Sequence, residues 1–415
     1  MKLAVIVCEY NPFHNGHLYQ INKTRELTNC DGIICIMSGN FSQRAECAIM
    51  DKYERAKVAI ECGADLVVNI PAPYASNNAE VFALASVKIA SAFKDVEWIS
   101  FGMEEPNLNA LNETAEFLLN ETTDYKILLK NYLDSGLSFS ESRIQTVKKL
   151  IAENKVTLKN KEAVINLLTK PNNILAVEYV KALKTINSNI KPVLVQRLGS
   201  DYNEEKFEGT FSSATAIRKS VYNGEILKVK AALPKPSFEA LENYVKEHGL
   251  VDENKLIDLA RYKFLTTNTN ELKTLYNVSE GLENRIKIVA IKSATSAEFK
   301  EQVHTKRYKN SRINSILLNG VLNIHNEVIK HVYKIEKLPF IKALAINENN
   351  KELLSNLKCS SKLILRKNDV DNLKKTKYVK ELMQIEDNSN AVYNLLLNKN
   401  LLPAKDIYTK LIKVK

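Results

Sequence analysis

Five short runs of apolar and β-branched residues recur along the chain: LAVIVC at 3–8, GIICIM at 32–37, DLVVNI at 65–70, EWISFG at 97–102 and PVLVQRL at 192–198. They read as near-continuous apolar runs rather than as an alternation with polar residues, so each is expected to be a strand buried on both faces. Segments of helical length and spacing lie between them, at 17–29, 51–62, 79–93 and 171–186. Strand–helix alternation of this kind predicts a doubly wound α/β domain with a parallel sheet. Such sheets bind ligands beyond the carboxyl ends of their strands. EYNPFHNGH after the first strand, SGNFSQR after the second and GMEE after the fourth should therefore share one edge.

A chain of 415 residues has room for a second domain. LPKPS at 233–237 is the best linker candidate, dividing the chain into an α/β part, 1–232, and a mainly helical part, 238–415, with a further division near 320. Charge follows the same division. The first 230 residues are neutral, and the whole excess of +11 lies in the last 185. A bias toward Lys across the genome would raise Lys throughout, so the one-sided excess favours a surface for a polyanion. The six cysteines (Cys8, Cys30, Cys35, Cys47, Cys62, Cys359) have neither a paired framework nor C-x-x-C spacing, as expected of reduced core thiols in a cytoplasmic protein. No apolar run is long enough to span a membrane, and the first one lacks a signal-peptide cleavage site.

Neither G-x-x-x-x-G-K-[ST] nor G-x-G-x-x-G occurs, which excludes the commonest nucleotide loops. What stands after the first strand is His14-Asn15-Gly16-His17. Amides at the start of the following helix favour an anion. Gly16 allows close backbone approach, and two imidazoles three residues apart can donate to one phosphate as its charge grows in a transition state. FSSATAIRKS at 211–220 supplies a second anion site, with Ser212 or Ser213 as helix N-cap and Arg218 about one turn inside. His14, His17 and Arg218 are thus the catalytic candidates. H-x-G-H with this second motif is the pattern of the nucleotidylyltransferase α/β-phosphodiesterase superfamily, whose members direct attack onto the α-phosphate of ATP.

A closer resemblance rests on VCEYNPFHNGHLYQI, MSGNFSQRAE, ISFGME, KPNNILAVEYV, RLGSDYN, SSATAIRK, GLENRI and HTKRYKNSRIN, which occur in this order between residue 7 and about residue 314. Together they resemble the tRNA(Met) cytidine acetate ligase family, bacterial enzymes that acetylate the wobble cytidine of elongator tRNA(Met). The last hundred residues carry no recognised motif. The resemblance implies a Rossmann-like sheet of the HxGH nucleotidylyltransferase type, with the helical, basic C-terminal part meeting tRNA. It implies acetate attack on ATP to give acetyl-adenylate and pyrophosphate, then attack by the cytidine N4 amine with release of AMP. It also implies an ATP site made of Val7, Cys8, Glu9, Tyr10, Asn11, Pro12, Phe13, His14, Asn15, Gly16, His17, Leu18, Tyr19 and Gln20, with Gly102, Asn172 and Arg197. Mg²⁺ would come with the nucleotide, held mainly by phosphate oxygens and water; no dedicated metal ligands and no obligate protein partner are expected.

Read locally, Gly102 ends the fourth strand, where a side chain would block a nucleoside. Asn172, beside Pro171 at a helix start, either reads an adenine edge or caps the helix. Arg197 meets a phosphate or ribose, or forms a rim ion pair. Arg44 and Lys52 are further phosphate or tRNA candidates without motif support. Cys8 is expected to be a small packed residue rather than a nucleophile. Lys306, Arg307, Lys309 and Arg312 surround Tyr308, a basic cluster with an aromatic for stacking on an unpaired base; the alternative is a solvated helix face. Two other functions fit parts of the pattern: an adenylyltransferase acting on a small metabolite, and a non-catalytic RNA-binding protein with a nucleotide fold. The first does not need the basic extension, and intact His14, His17 and Arg218 argue against the second.

Overall fold

A computed structural model of the chain describes residues 1–198, 209–279, 281–304, 310–399 and 409–415. The five apolar runs form β1 (Leu3–Cys8), β2 (Gly32–Ser38), β3 (Leu66–Ile70), β4 (Val96–Met103) and β5 (Lys191–Gln196). They pair in parallel in the order β5-β4-β1-β2-β3. Chain direction across the sheet reverses between β1 and β4, so the crevice beyond their carboxyl ends is a topological switch point. β2 and β3 are buried along their whole length. β5 is not, because it forms an edge and borders the sheet only through β4; burial on both faces was the wrong expectation for this strand.

Helices Asn15–Thr28, Lys52–Glu61, Ala79–Ala92 and Pro171–Thr185 occupy the expected segments. Between β4 and the last of these the chain inserts four helices: Leu108–Leu119, Thr123–Asp134, Phe139–Ala152 and Lys161–Leu167. A parallel crossover needs only one helix, so the insertion is an addition to the basic α/β unit.

LPKPS does not separate two bodies. Its prolines start the helix Lys235–His248, as proline does where a helix N–H would go unused. Ser237 Oγ donates to the carbonyl of Phe13 at 2.6 Å, docking that helix on the loop after β1. The chain is mainly helical from there to Lys334, then β6 (Phe340–Asn347) returns to the sheet antiparallel to β3. β7 (Lys362–Ile364) and β8 (Ile412–Val414) pair with β6. The boundary expected at 233–237 is thus crossed by the sheet itself. The physical reason is the bare edge of β3, whose unpaired N–H and C=O groups need a partner strand.

The long helix Lys377–Leu396 then braces the loops after β2 and β3. Its Glu386 carboxylate accepts from Lys52 Nζ at 3.0 Å, from Asn69 Nδ2 at 3.1 Å and from the Ala72 amide. Tyr393 donates to the Ala48 carbonyl at 2.8 Å. No helix among the described residues is long and apolar enough to cross a membrane.

Candidate active site

Two loops must be held together before a site exists at the switch point, and one buried cation does this. Arg55 is fully buried, and its guanidinium donates to the carbonyls of Glu9, Ser38, Gly39 and Met50. It thereby joins the loop after β1 to the loop after β2. In the first of these loops Tyr10 has a left-handed backbone (φ 48°) and the Asn11–Pro12 peptide is cis. Asn11 Oδ1 accepts from the Ile49 amide at 2.8 Å.

His14 is the N-cap of the helix Asn15–Thr28. Its Nδ1 accepts from the Gly16 amide at 3.1 Å, while Nδ1 of His17 accepts from the His14 amide at 3.2 Å. The two histidines thus form a reciprocal capping box, with rings stacked at 3.7 Å. Because each Nδ1 is an acceptor, the neutral ring carries its proton on Nε2. Gly16 follows from the same arrangement: a Cβ there would lie 2.9 Å from His14 Cε1. Burial, then the charges of Arg197 and Arg218, lower the His14 pKa to about 3. Burial, His14 and Arg197 put His17 well below the ordinary histidine value. Both rings are neutral Nε2–H donors at pH 7.

Ser213 caps the helix Ala214–Tyr222, accepting from the Ala216 amide at 3.1 Å. On that helix Arg218 donates to the Asn11 carbonyl at 2.9 Å and to Glu46 at 3.1 Å. Arg197 follows β5, and its side chain crosses Gly102, where a Cβ would meet Arg197 Cγ at 3.1 Å. The glycine therefore makes room first for Arg197; a clash with a nucleoside is not the nearest one. Asn172 Nδ2 donates to Glu104 at 2.8 Å.

These side chains line one cleft of about 1190 Å³, including its open mouth. It brings together Val7, Cys8, Glu9, Tyr10, Asn11, His14, His17, Gln20, Gly102, Asn172, Arg197 and Arg218. Gly16 and Tyr19 line a smaller adjoining lobe. Pro12, Phe13, Asn15 and Leu18 line neither lobe. Phe13 is buried against Tyr10 and His17, and Leu18 packs on the core. The Asn15 amide donates to the carbonyls of Thr210 and Ala231, at 3.0 and 2.9 Å. Cys8 donates to the Ile36 carbonyl at 3.8 Å, and burial pushes its thiol pKa up, as suits a packed residue. Glu9 accepts from the Gln43 amide at 2.8 Å, and burial raises its pKa.

The cleft also has an apolar wall that the sequence reading missed: Phe82, Phe101, Leu175 and Tyr179. Apolar residues on strands and helix faces resemble core residues, so only the position of Phe101 in ISFGME and of Leu175 and Tyr179 in KPNNILAVEYV hinted at more, and nothing singled out Phe82. Arg44 lines the cleft. Lys52 does not, being buried against Glu386; as a phosphate or tRNA contact it was misread. Lys306, Arg307, Tyr308 and Lys309 lie outside the described residues. Arg312 donates to the Asn277 carbonyl and to Ser279, at 3.1 and 3.0 Å. Among the described residues no group of three or more His, Cys, Asp or Glu side chains is placed to hold a metal ion.

The family model for HIGH Nucleotidyl Transferase matches residues 1–406. The tRNA(Met) cytidine acetate ligase of Clostridium novyi is 35% identical over the whole of both chains, and that of Thermoanaerobacter sp. X514 is 39% identical over 88% of each. The chain belongs to the tRNA(Met) cytidine acetate ligase family. Similarity to this ligase family extends past residue 314 and through the C-terminal hundred residues that carry no recognised motif. The ligase-family fold is equally complete: apo TmcAL from Thermotoga maritima superimposes over all of both chains with a TM-score of 0.91 at 29% identity. TmcAL from the same organism bound with alpha-thio ATP gives a TM-score of 0.89 at 28% identity, again over all of both chains.

Proposed function

We propose that this chain is an ATP-dependent ligase that activates acetate as acetyl-adenylate and transfers the acetyl group to N4 of the wobble cytidine of elongator tRNA(Met), forming N4-acetylcytidine. The observation that carries the reading is the convergence of His14, His17, Arg197 and Arg218 on one cleft at the sheet's switch point. Its supports are relatives named for this ligation and a similar structure that binds an ATP analogue.

An acetate oxygen bonds to the α-phosphorus of ATP as the bond to the β-phosphate oxygen breaks. Charge builds on the departing pyrophosphate, where the Nε2–H groups of His14 and His17, the helix amides and the two arginines stabilise it. The cytidine N4 amine then attacks the acetyl carbonyl, AMP leaves and the amine loses a proton. Positioning of the amine beside a good leaving group supplies much of the rate. No protein nucleophile is needed. Mg²⁺ enters with ATP, held by phosphate oxygens and water. Residues 1–232 supply the nucleotide chemistry; 238–415, including Lys306, Arg307, Tyr308, Lys309 and Arg312, supply tRNA contact in the cytoplasm.

The deciding experiment supplies labelled acetate, ATP, Mg²⁺ and tRNA(Met) without acetyl-CoA. Label in the tRNA that depends on ATP and vanishes when the wobble cytidine is replaced is the expected result. Pyrophosphate release with another carboxylate or a metabolite phosphate, and no labelled tRNA, would move the assignment to a small-molecule adenylyltransferase.

A further inference from the structure

A second and larger cleft, of about 2260 Å³ with its open mouth, adjoins the nucleotide cleft. Gln43 and Ala79 line both, so the two spaces lie side by side. One wall comes from the four-helix insertion after β4, through Lys126, Phe139 and Arg143; the other comes from the C-terminal helical part, through Tyr276 and Arg312. Between these walls the cleft rests on the α/β unit, through the helices Ala79–Ala92 and Pro171–Thr185.

We propose, resting on the ligase reading above, that this second cleft is the channel through which an unpaired cytidine of the tRNA reaches acetyl-adenylate, with Phe139 as the platform on which a loop base stacks. Phe139 opens the helix Phe139–Ala152 and is 57% exposed. The Arg143 guanidinium lies over its ring, 5.7 Å from the centroid. Arg143 itself is only 7% exposed; it pairs with Glu178 at 3.4 Å, yet its Nε–H is buried with no acceptor. An exposed aromatic ring held by a buried guanidinium suits stacking of a splayed-out base, the usual target of sequence-specific RNA recognition. Charge in the cleft is mixed, because Glu80, Glu121 and Glu178 line the same space. Lys126 and Arg312 line the walls, and Arg312 is the described end of the basic cluster that begins at residue 304. The shared floor at Gln43 and Ala79 leads such a base toward the activated acetyl group.

The test uses the full-length enzyme with Phe139→Ala, Phe139→Tyr and Lys126→Glu. Acetate-dependent exchange of pyrophosphate into ATP, without tRNA, reads the first half-reaction; acetyl transfer to a tRNA(Met) transcript reads the whole. Phe139→Ala should leave exchange unchanged and lower kcat/KM for tRNA by about five- to hundredfold, mainly through KM. Phe139→Tyr, which keeps the stacking face, should restore it, and Lys126→Glu should raise KM for tRNA alone. Intact exchange with unchanged transfer in Phe139→Ala and Lys126→Glu would overturn the channel and place the RNA on another face. Exchange and transfer falling together would overturn it as well, making Phe139 a structural residue. Absence in the wild type of both acetate-dependent exchange and acetyl transfer to tRNA would overturn the ligase reading itself, and the channel with it.

Discussion

His14 and His17 each give Nδ1 to a backbone N–H at the start of one helix, which leaves Nε2–H as the group either ring can offer a phosphate. His17→Ala should therefore lower the rate of acetate-dependent pyrophosphate exchange by about 10²- to 10³-fold, as removal of one transition-state donor does. ATP affinity, measured by calorimetry, should change much less; loss of binding with no further loss of rate would reduce His17 to a positioning role. The depressed pKa of His14 also makes a pH prediction. In the unfolded chain imidazole takes up its proton near pH 6.5, but in the fold His14 does so only near 3. The folded state therefore binds fewer protons in that window, and its stability falls as pH drops from about 6.5 toward 3, by about 1.4 kcal/mol per pH unit for one histidine. Urea denaturation between pH 7 and 5 should show at least this slope, because His17 is depressed as well, and His14→Gln should reduce it to the share of His17. At this scale the sequence was legible where chemistry and backbone agreed. H-x-G-H marks a phosphate pair, yet the reciprocal caps that dictate Gly16 and the tautomers depend on ring orientations that spacing alone does not reveal.

Most elements were read from their apolar runs with little error, because a strand covered on both faces admits a polar residue only where a partner satisfies it, as Glu386 does for Asn69 in β3. The errors lie where a neighbour was missing or unforeseen. β5 has sheet on one side only, and Lys52 meets a carboxylate that comes from 334 residues away. That ion pair joins the start of the helix Lys52–Glu61 to the helix Lys377–Leu396, with both side chains almost inaccessible. Glu386→Ala would leave an uncompensated buried ammonium and strip acceptors from Asn69 and the Ala72 amide. It should cost about 3–5 kcal/mol in chemical denaturation. The double change Lys52→Met with Glu386→Leu removes the stranded charge and should recover part of that loss. Equal losses in the single and double variants would assign the cost to the Ala72 and Asn69 hydrogen bonds instead.

Across the whole molecule, the division suggested by charge and by LPKPS concealed a shared sheet. β6 begins with the apolar run FIKALAI at 340–346, but nothing in its composition names β3 as its partner. A chain ending at residue 232 should consequently fail to behave as an independent domain. It would lack β6 and Glu386, expose the edge of β3, and elute on size exclusion as aggregate rather than monomer. A monomeric, cooperatively melting fragment would refute this. The C-terminal charge excess is expected to act through RNA: reversing two charges within 304–312 should weaken tRNA binding and lower its dependence on salt. The antiparallel pairing of β3 with β6 has one more consequence, in time rather than in space. On a ribosome adding about 5–20 residues per second, 277 residues must follow β3 before β6 is complete, so the nascent sheet holds an open flank for about 14–55 s. Throughout that interval this chain is a natural client for whatever binds exposed strands beside the exit tunnel.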